Sequence, residues 1–354
     1  NLEQTINDPA PGSAFTFGSA VGLSGAHLVV TAPGADAPGP IESAGKVVFF
    51  ERTGAGANPW TQATGGGFTS TPTANDGTGF CAAIQGNWAF VGSPTGDQPA
   101  GGIDAGFVSV YRWNGSQWAS IASVAASPYA AQERFGQSIA IDSTTVVVGI
   151  PGRSTGQGAI AIYSEVTGNW MLRTTLVSGV NGERFGSGVA LQGKTLVVGA
   201  AGANASNGKA YVYVGQDATW PLQTSLAPAS FTGQSYAGFG SMLALSNRVA
   251  VVAAPNWSDT HQPAAGRAFP FAFAGYPGDA CSAANQCVTG LYCTAGSCCD
   301  QVSCGNFRCG AASCLTQCTM DSECITTAYC SGTSCQARKA DGQAVMNADL
   351  WQRL

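Results

Sequence analysis

The sequence predicts an all-β chain: a five-bladed β-propeller of four-stranded antiparallel blades, closed by an N-terminal strand and followed by a small disulfide-rich C-terminal module. Three observations lead there. One pattern, FGSGVALQGKTLVVGA in its fullest form, recurs from Phe17, Phe80, Phe135, Phe185 and Phe239, in steps of 63, 55, 50 and 54 residues. Each copy holds four short runs bounded by glycine-rich turns. Twelve of the thirteen cysteines lie between 281 and 335. Periods near 50 belong to propellers, solenoids and arrays, whose units cannot bury their own faces and so must stack.

Within a copy, the stretch after the Phe alternates small or apolar residues with polar ones and turns at SG, QG or SN. It then enters a β-branched run such as LVVGA, which together read as a hairpin. A loop of variable length follows. A Gly (45, 106, 158, 208, 266) then opens a third run, as in GAIAIY, and a Trp (60, 118, 170, 220) leads a fourth, as in WMLRTTLV. Four strands of this kind make one propeller blade. The fifth copy lacks a Trp-led fourth run after RAFPFAFAG, while residues 2–10, LEQTINDPA, resemble the outer runs LQTSLAPA and LRTTLVSG. Residues 2–7 are therefore expected to complete the fifth blade beside 267–273 and leave no open edge. The domains expected are a propeller over 1–274, a cysteine module over 275–338 and a tail over 339–354.

Composition narrows the function classes. Charged residues are 10% of the chain and the formal net charge is −5, so the chain offers no basic surface for nucleic acid or anionic lipid. No run of 18 apolar residues spans a membrane, and Asn1 is expected to be a mature terminus left after removal of a signal peptide.

The cysteines set the compartment. CSAANQCVTGLYCTAGSC (Cys281, Cys287, Cys293, Cys298) recurs as CTMDSECITTAYCSGTSC (Cys318, Cys324, Cys330, Cys335). Cys299, Cys304, Cys309 and Cys314 lie between the two copies. So dense a duplicated framework has too little core to fold otherwise and reads as six disulfides of open connectivity, hence a secreted protein of the extracellular space or cell surface. Zinc would want close Cys-x-x-Cys or Cys/His pairs, which the segment lacks. Cys81, which follows Phe80 where the other copies have Gly, is expected to be a free thiol.

These copies resemble the FG-GAP repeats of integrin α-chain propellers and secreted bacterial proteins. The likeness rests on Phe17-Gly18, Phe135-Gly136, Phe185-Gly186 and Phe239-Gly240, and on Ala32-Pro33, Ser93-Pro94, Ile150-Pro151 and Ala254-Pro255. The tail is similar to cysteine-rich modules of bacterial surface proteins and, more loosely, to Dickkopf-type modules. The resemblance implies extracellular adhesion or binding, often with calcium. Integrin propellers have seven blades against five here, and their D-x-D-x-D-G loop appears nowhere in this chain, so no cofactor is expected.

Candidate chemistry is sparse. Asp36, Glu42, Asp76, Asp97, Asp104, Glu133, Glu183 and Asp259 are placed on one rim as turn carboxylates, the only set from which a calcium site could come. His27 takes a strand position. Trp257, Asp259 and His261 share the loop NWSDTHQPAAG and form the candidate ligand site, suited to a sugar or a cation. No nucleophile accompanies His261, so no catalytic residue is assigned. The Trp series at 60, 118, 170 and 220 is assigned to packing between blades. Asn-x-Ser sites stand at Asn114, Asn204 and Asn256. The function expected is a non-enzymatic structural or adhesive surface protein, a subunit of an extracellular assembly or filament. Its partners are other subunits or surface ligands, and copies join through the N-terminal strand and the apolar tail (Val345, Leu350, Trp351, Leu354). The alternatives are a carbohydrate-binding propeller and, behind it, a hydrolase or lyase on a propeller scaffold.

Overall fold

The computed structural model describes residues 4–11, 16–39, 41–54, 59–69, 71–99, 102–215, 219–227, 238–246, 249–258 and 266–273, with four short strand segments at 292–294, 297–299, 328–331 and 334–337. The chain divides into two compact units, residues 1–218 with 224–271 and residues 219–223 with 272–354.

The first unit is built from antiparallel repeats in a propeller-like arrangement. Repeat one holds β1 (Val21–Ser24), β2 (His27–Ala32), β3 (Lys46–Arg52) and β4 (Trp60–Gly67); repeat two holds β5 (Cys81–Gln85), β6 (Trp88–Ser93), β7 (Phe107–Trp113) and β8 (Trp118–Val124). Repeat three holds β9 (Ile139–Asp142), β10 (Thr145–Ile150), β11 (Ala159–Val166) and β12 (Asn169–Val177), and repeat four β13 (Phe185–Gln192), β14 (Thr195–Ala200), β15 (Lys209–Val214) and β16 (Leu222–Leu226). Repeat five shows three strands, β17 (Met242–Ser246), β18 (Val249–Ala254) and β19 (Arg267–Ala272). Repeats three and four are separate four-stranded sheets; a single parallel contact, Gly65 with Trp118, joins one and two into eight strands.

Burial explains why the second strands read as unbroken apolar runs. In β6, β10 and β14 every residue after the first is buried, because these strands have a neighbouring repeat on each face. The outermost strand β12 faces water and alternates between half-buried and exposed. At the first two junctions the two facing sheets share one core. Val29, Val47 and Phe49 of repeat one meet Ile84, Val91 and Trp118 of repeat two, and Phe90, Val108 and Val110 meet Val146, Val148 and Ile150 of repeat three.

The Phe-Gly and Gly-Ala-Pro motifs are the parts that touch across these junctions. Phe135, Phe185 and Phe239 are fully buried, and each forms a parallel bridge with the Gly that opens the third strand of the preceding repeat: Gly106, Gly158 and Gly208. Repeat two departs from the sequence alignment. Phe80 is exposed, and the anchoring position belongs to Thr78-Gly79: Thr78 is fully buried under Gly45, and the Gly79 N–H donates to Gly92 O at 2.9 Å, as Gly136 does to Gly149. Cys81 therefore aligns with Ser138. Its Sγ donates to Gly136 O of repeat three at 3.1 Å, the bond that Ser138 Oγ makes to Gly186 O at 2.9 Å one junction later.

The expected closing strand is a second correction. Residues 4–8 form no strand and lie against repeat one, not beside 267–273. The Gln4 side-chain amide donates to Trp60 O at 3.0 Å and accepts from Trp60 N at 2.9 Å; Asp8 takes the Lys46 ammonium at 2.7 Å; Ile6 packs with Val30, Val48 and Phe50. The physical reason lies on both sides. Gln4 supplies through its side chain the pairing that a strand supplies through its backbone. At the other end, Pro270 in the middle of β19 has no N–H to offer, which suits an edge strand.

In the second unit the duplicated cysteine spacing yields duplicated hairpins. β20 (Tyr292–Thr294) pairs with β21 (Ser297–Cys299), setting Cys293 opposite Cys298; β22 (Ala328–Ser331) pairs with β23 (Ser334–Ala337), setting Cys330 opposite Cys335. The other eight framework positions and the tail lie outside the described residues, apart from Cys299 on β21.

Candidate functional site

Of the predicted ligand site, Trp257 is described and Asp259 and His261 lie outside the described residues. Trp257 is committed to packing. Its ring meets Phe269 edge-on at 5.6 Å, the Arg267 guanidinium lies 5.1 Å above it, and its backbone closes the loop through Gly266 N–H to Trp257 O at 3.0 Å.

Among the described rim carboxylates, Asp36, Asp76, Asp97, Glu133 and Glu183 engage separate partners. Asp36 Oδ1 accepts from Ser43 N and Asp97 Oδ1 from Asp104 N, both at 2.9 Å, in equivalent loops of repeats one and two. Asp76 caps Thr73, and Glu183 accepts the Tyr211 hydroxyl at 2.8 Å in a buried pair. Glu133 faces Arg153 at 3.6 Å. Among the described residues no three His, Cys, Asp or Glu side chains gather where a cation could sit. His27 packs edge-on against Trp118 at 5.3 Å, as a strand residue of the first junction.

The groups with shifted acidity are packing groups. Burial pushes the Tyr111 and Tyr163 hydroxyls up to about 12; burial and the Glu183 carboxylate do the same to Tyr213, and raise Tyr211 further. The Cys81 thiol is pushed up to about 12 by burial against a smaller opposing effect of the Gly92 backbone. A thiol held neutral in this way is a weak nucleophile.

Among the described residues, a cleft of about 720 Å³ lies between the outer strands of repeats one and two, which the loop-by-loop sequence reading missed. Phe107 is its half-buried aromatic residue, while Trp118 and Tyr111 lie buried at its base against Phe49; Thr73, Asp97 and Ser120 are among the polar groups. Two lining residues, Thr69 and Trp118, carry buried polar atoms without a hydrogen-bond partner, Oγ1 and Nε1. A sequence signal did exist, in the GGGFTSTPT run (65–73) that ends β4 and leads out of it, but only the Gly65–Trp118 contact turns that run toward repeat two. A smaller cavity of about 380 Å³ spans repeats three to five, lined by Gln137, Ser187 and Ser241 at the same repeat position.

Comparison with known proteins agrees with the repeat reading. Residues 118–163 and 175–213 match the FG-GAP repeat family. No curated protein matches the chain. Among solved structures, a putative 6-phosphogluconolactonase from Bacteroides fragilis aligns at 16% identity and a TM-score of 0.35, over 57% of this chain and 50% of its own. The chain thus spans half the length of that structure.

Proposed function

We propose that this chain is a secreted, non-enzymatic structural or adhesive surface protein, with five FG-GAP repeats in a propeller-like row over 1–274, a disulfide module over 275–338 and a tail over 339–354. One observation carries the reading: the recurring residues are spent on joining repeat to repeat. Phe135, Phe185 and Phe239 fill junctions, Trp118 stacks on Phe49 at 4.6 Å within 10° of parallel, and Trp170 meets Trp88 and Phe90 edge-on across the next junction. Sequence repeated for stacking leaves function to loops and exposed faces. The two cysteine hairpins in equal register support an exported chain, because a duplicated framework of that density is a feature of secreted modules. The test is antibody labelling of intact source cells against residues 1–274. Label on unpermeabilised cells is expected, and label appearing only after permeabilisation overturns the reading.

The cleft between repeats one and two favours carbohydrate as the second reading, since the half-buried Phe107 ring beside hydroxyl and carboxylate groups is what a sugar ring engages. Saturable quenching of tryptophan fluorescence by an oligosaccharide, reduced by Asp97→Ala, is the result that would promote it.

A further inference from the structure

We infer that the exposed face of repeat five is a docking surface for the first repeat of a second copy of this chain, joined head to tail. The inference rests on the reading of the protein as a subunit of an extracellular assembly, and it names the surface and the partner.

The third residue of the second strand shows the surface. In repeats one to four this position is Val29, Phe90, Val147 and Val197, each buried to 3% exposure or less beneath the following repeat. Its counterpart in repeat five, Val251, is 36% exposed, and β18 alternates between exposed and buried where its counterparts are continuously buried. Cross-strand register puts Met242 and Ala244 on the same face as Val251. Ala268 and Pro270, at the third-strand positions where repeat four has fully buried Ala210 and Val212, are also exposed. The surface is apolar, free of charge, and has the character of an internal junction.

The opposite half of such a junction is open on repeat one. Val189 of β13, whose partner Val198 faces the preceding repeat, is 8% exposed; its counterpart Val21 is 63% exposed and Leu23 64%. The N-terminal segment covers part of this face, over Val30, Val48 and Phe50, and leaves the β1 side chains bare. First strands of successive repeats approach one another along β1, β5, β9, β13 and β17, while no comparable approach joins β17 to β1. Among the described residues, one molecule therefore carries both halves of the contact it makes at every internal junction, and covers neither fully. Two matched surfaces at different places on one chain give a heterologous contact, which propagates from copy to copy. An apolar patch of this kind is where association is expected.

The test uses the full chain with Val251→Glu and Val21→Glu, both at solvent-exposed sites, with circular dichroism and thermal midpoints matched to the parent as the folding control. Sedimentation velocity should show parent species larger than a dimer that grow with concentration, and loss of all species above monomer in each variant. An equimolar mixture of the two variants should double in mass and stop there, because each retains the face the other lacks. A parent that is monomeric at every concentration, a variant that still assembles, or a mixture that stays monomeric overturns the inference. None of these outcomes bears on surface location, which the labelling experiment decides separately.

Discussion

Gly158 and Phe185 form a parallel bridge between repeats three and four, and a Cβ on Gly158 would stand 2.3 Å from both the N and the O of Phe185. The same relation holds for Gly106 with Phe135 and Gly208 with Phe239. The third-strand glycine and the opening phenylalanine, some 30 residues apart in sequence, are thus two sides of one contact: the ring fills the junction, and the missing side chain lets the backbones meet.

Gly158→Ala is accordingly expected to cost about 3 kcal/mol, combining the left-handed φ of 82° with overpacking against a backbone that cannot turn aside. Gly115→Ala, at φ 99° with nothing within 4 Å, should cost only the conformational part, about 1 kcal/mol. Urea denaturation of both variants measures the difference. Equal losses would remove the junction from the explanation.

The N-terminal clasp is separable from the repeats. Lys46 is held by both Asp8 carboxylate oxygens, at 2.8 and 2.7 Å, and by Ala10 O at 2.9 Å, with little of either side chain exposed. Lys46→Met leaves the Asp8 carboxylate half-buried without its cation and should cost about 3 kcal/mol. The double variant with Asp8→Leu should recover most of that. A double variant no more stable than the single one would show that the ammonium matters through its packing alone.

Cys81→Ser should be close to neutral, within about 1 kcal/mol, because Ser138 makes the same bond at the next junction. Cys81→Val, which keeps the volume and deletes the donor, should be the less stable of the two by thermal denaturation.

Alkaline pH should unfold the protein over a definite window. Tyr111, Tyr163 and Tyr213 titrate near 12 when folded and near 10 when unfolded, and Cys81 near 12 against 9. Between those values the folded state holds protons that the unfolded state has released, so stability is intact below about pH 9 and falls as pH rises toward 12. Tyrosinate absorbance should rise together with loss of β circular dichroism. Tyrosinate appearing before the fold is lost would contradict this linkage.

Strand order, turn positions and the four-strand repeat were legible because they follow from local chemistry, alternation and glycine placement. Thr78 was not, because Phe80-Cys81 imitates the motif two residues on, and only the close approach of Gly45 shows which residue is the anchor. The clasp was misread for a related reason: LEQTIN has the composition of an outer strand, but Gln4 pairs through its side chain. The spacing of the cysteines predicted duplication, and the hairpin register that places Cys293 opposite Cys298 needed backbone geometry. At Trp257 the loop suggested a ligand contact, whereas the partners that engage its ring, Phe269 and Arg267, come from β19.

The central claim, an exported protein whose cysteine framework is structural, is tested most directly by the intact mass of natively produced protein alkylated in denaturant without reductant. The account predicts a single alkylated thiol, at Cys81, with the twelve cysteines from 281 to 335 protected in pairs. Several modified cysteines between 281 and 335 would contradict it.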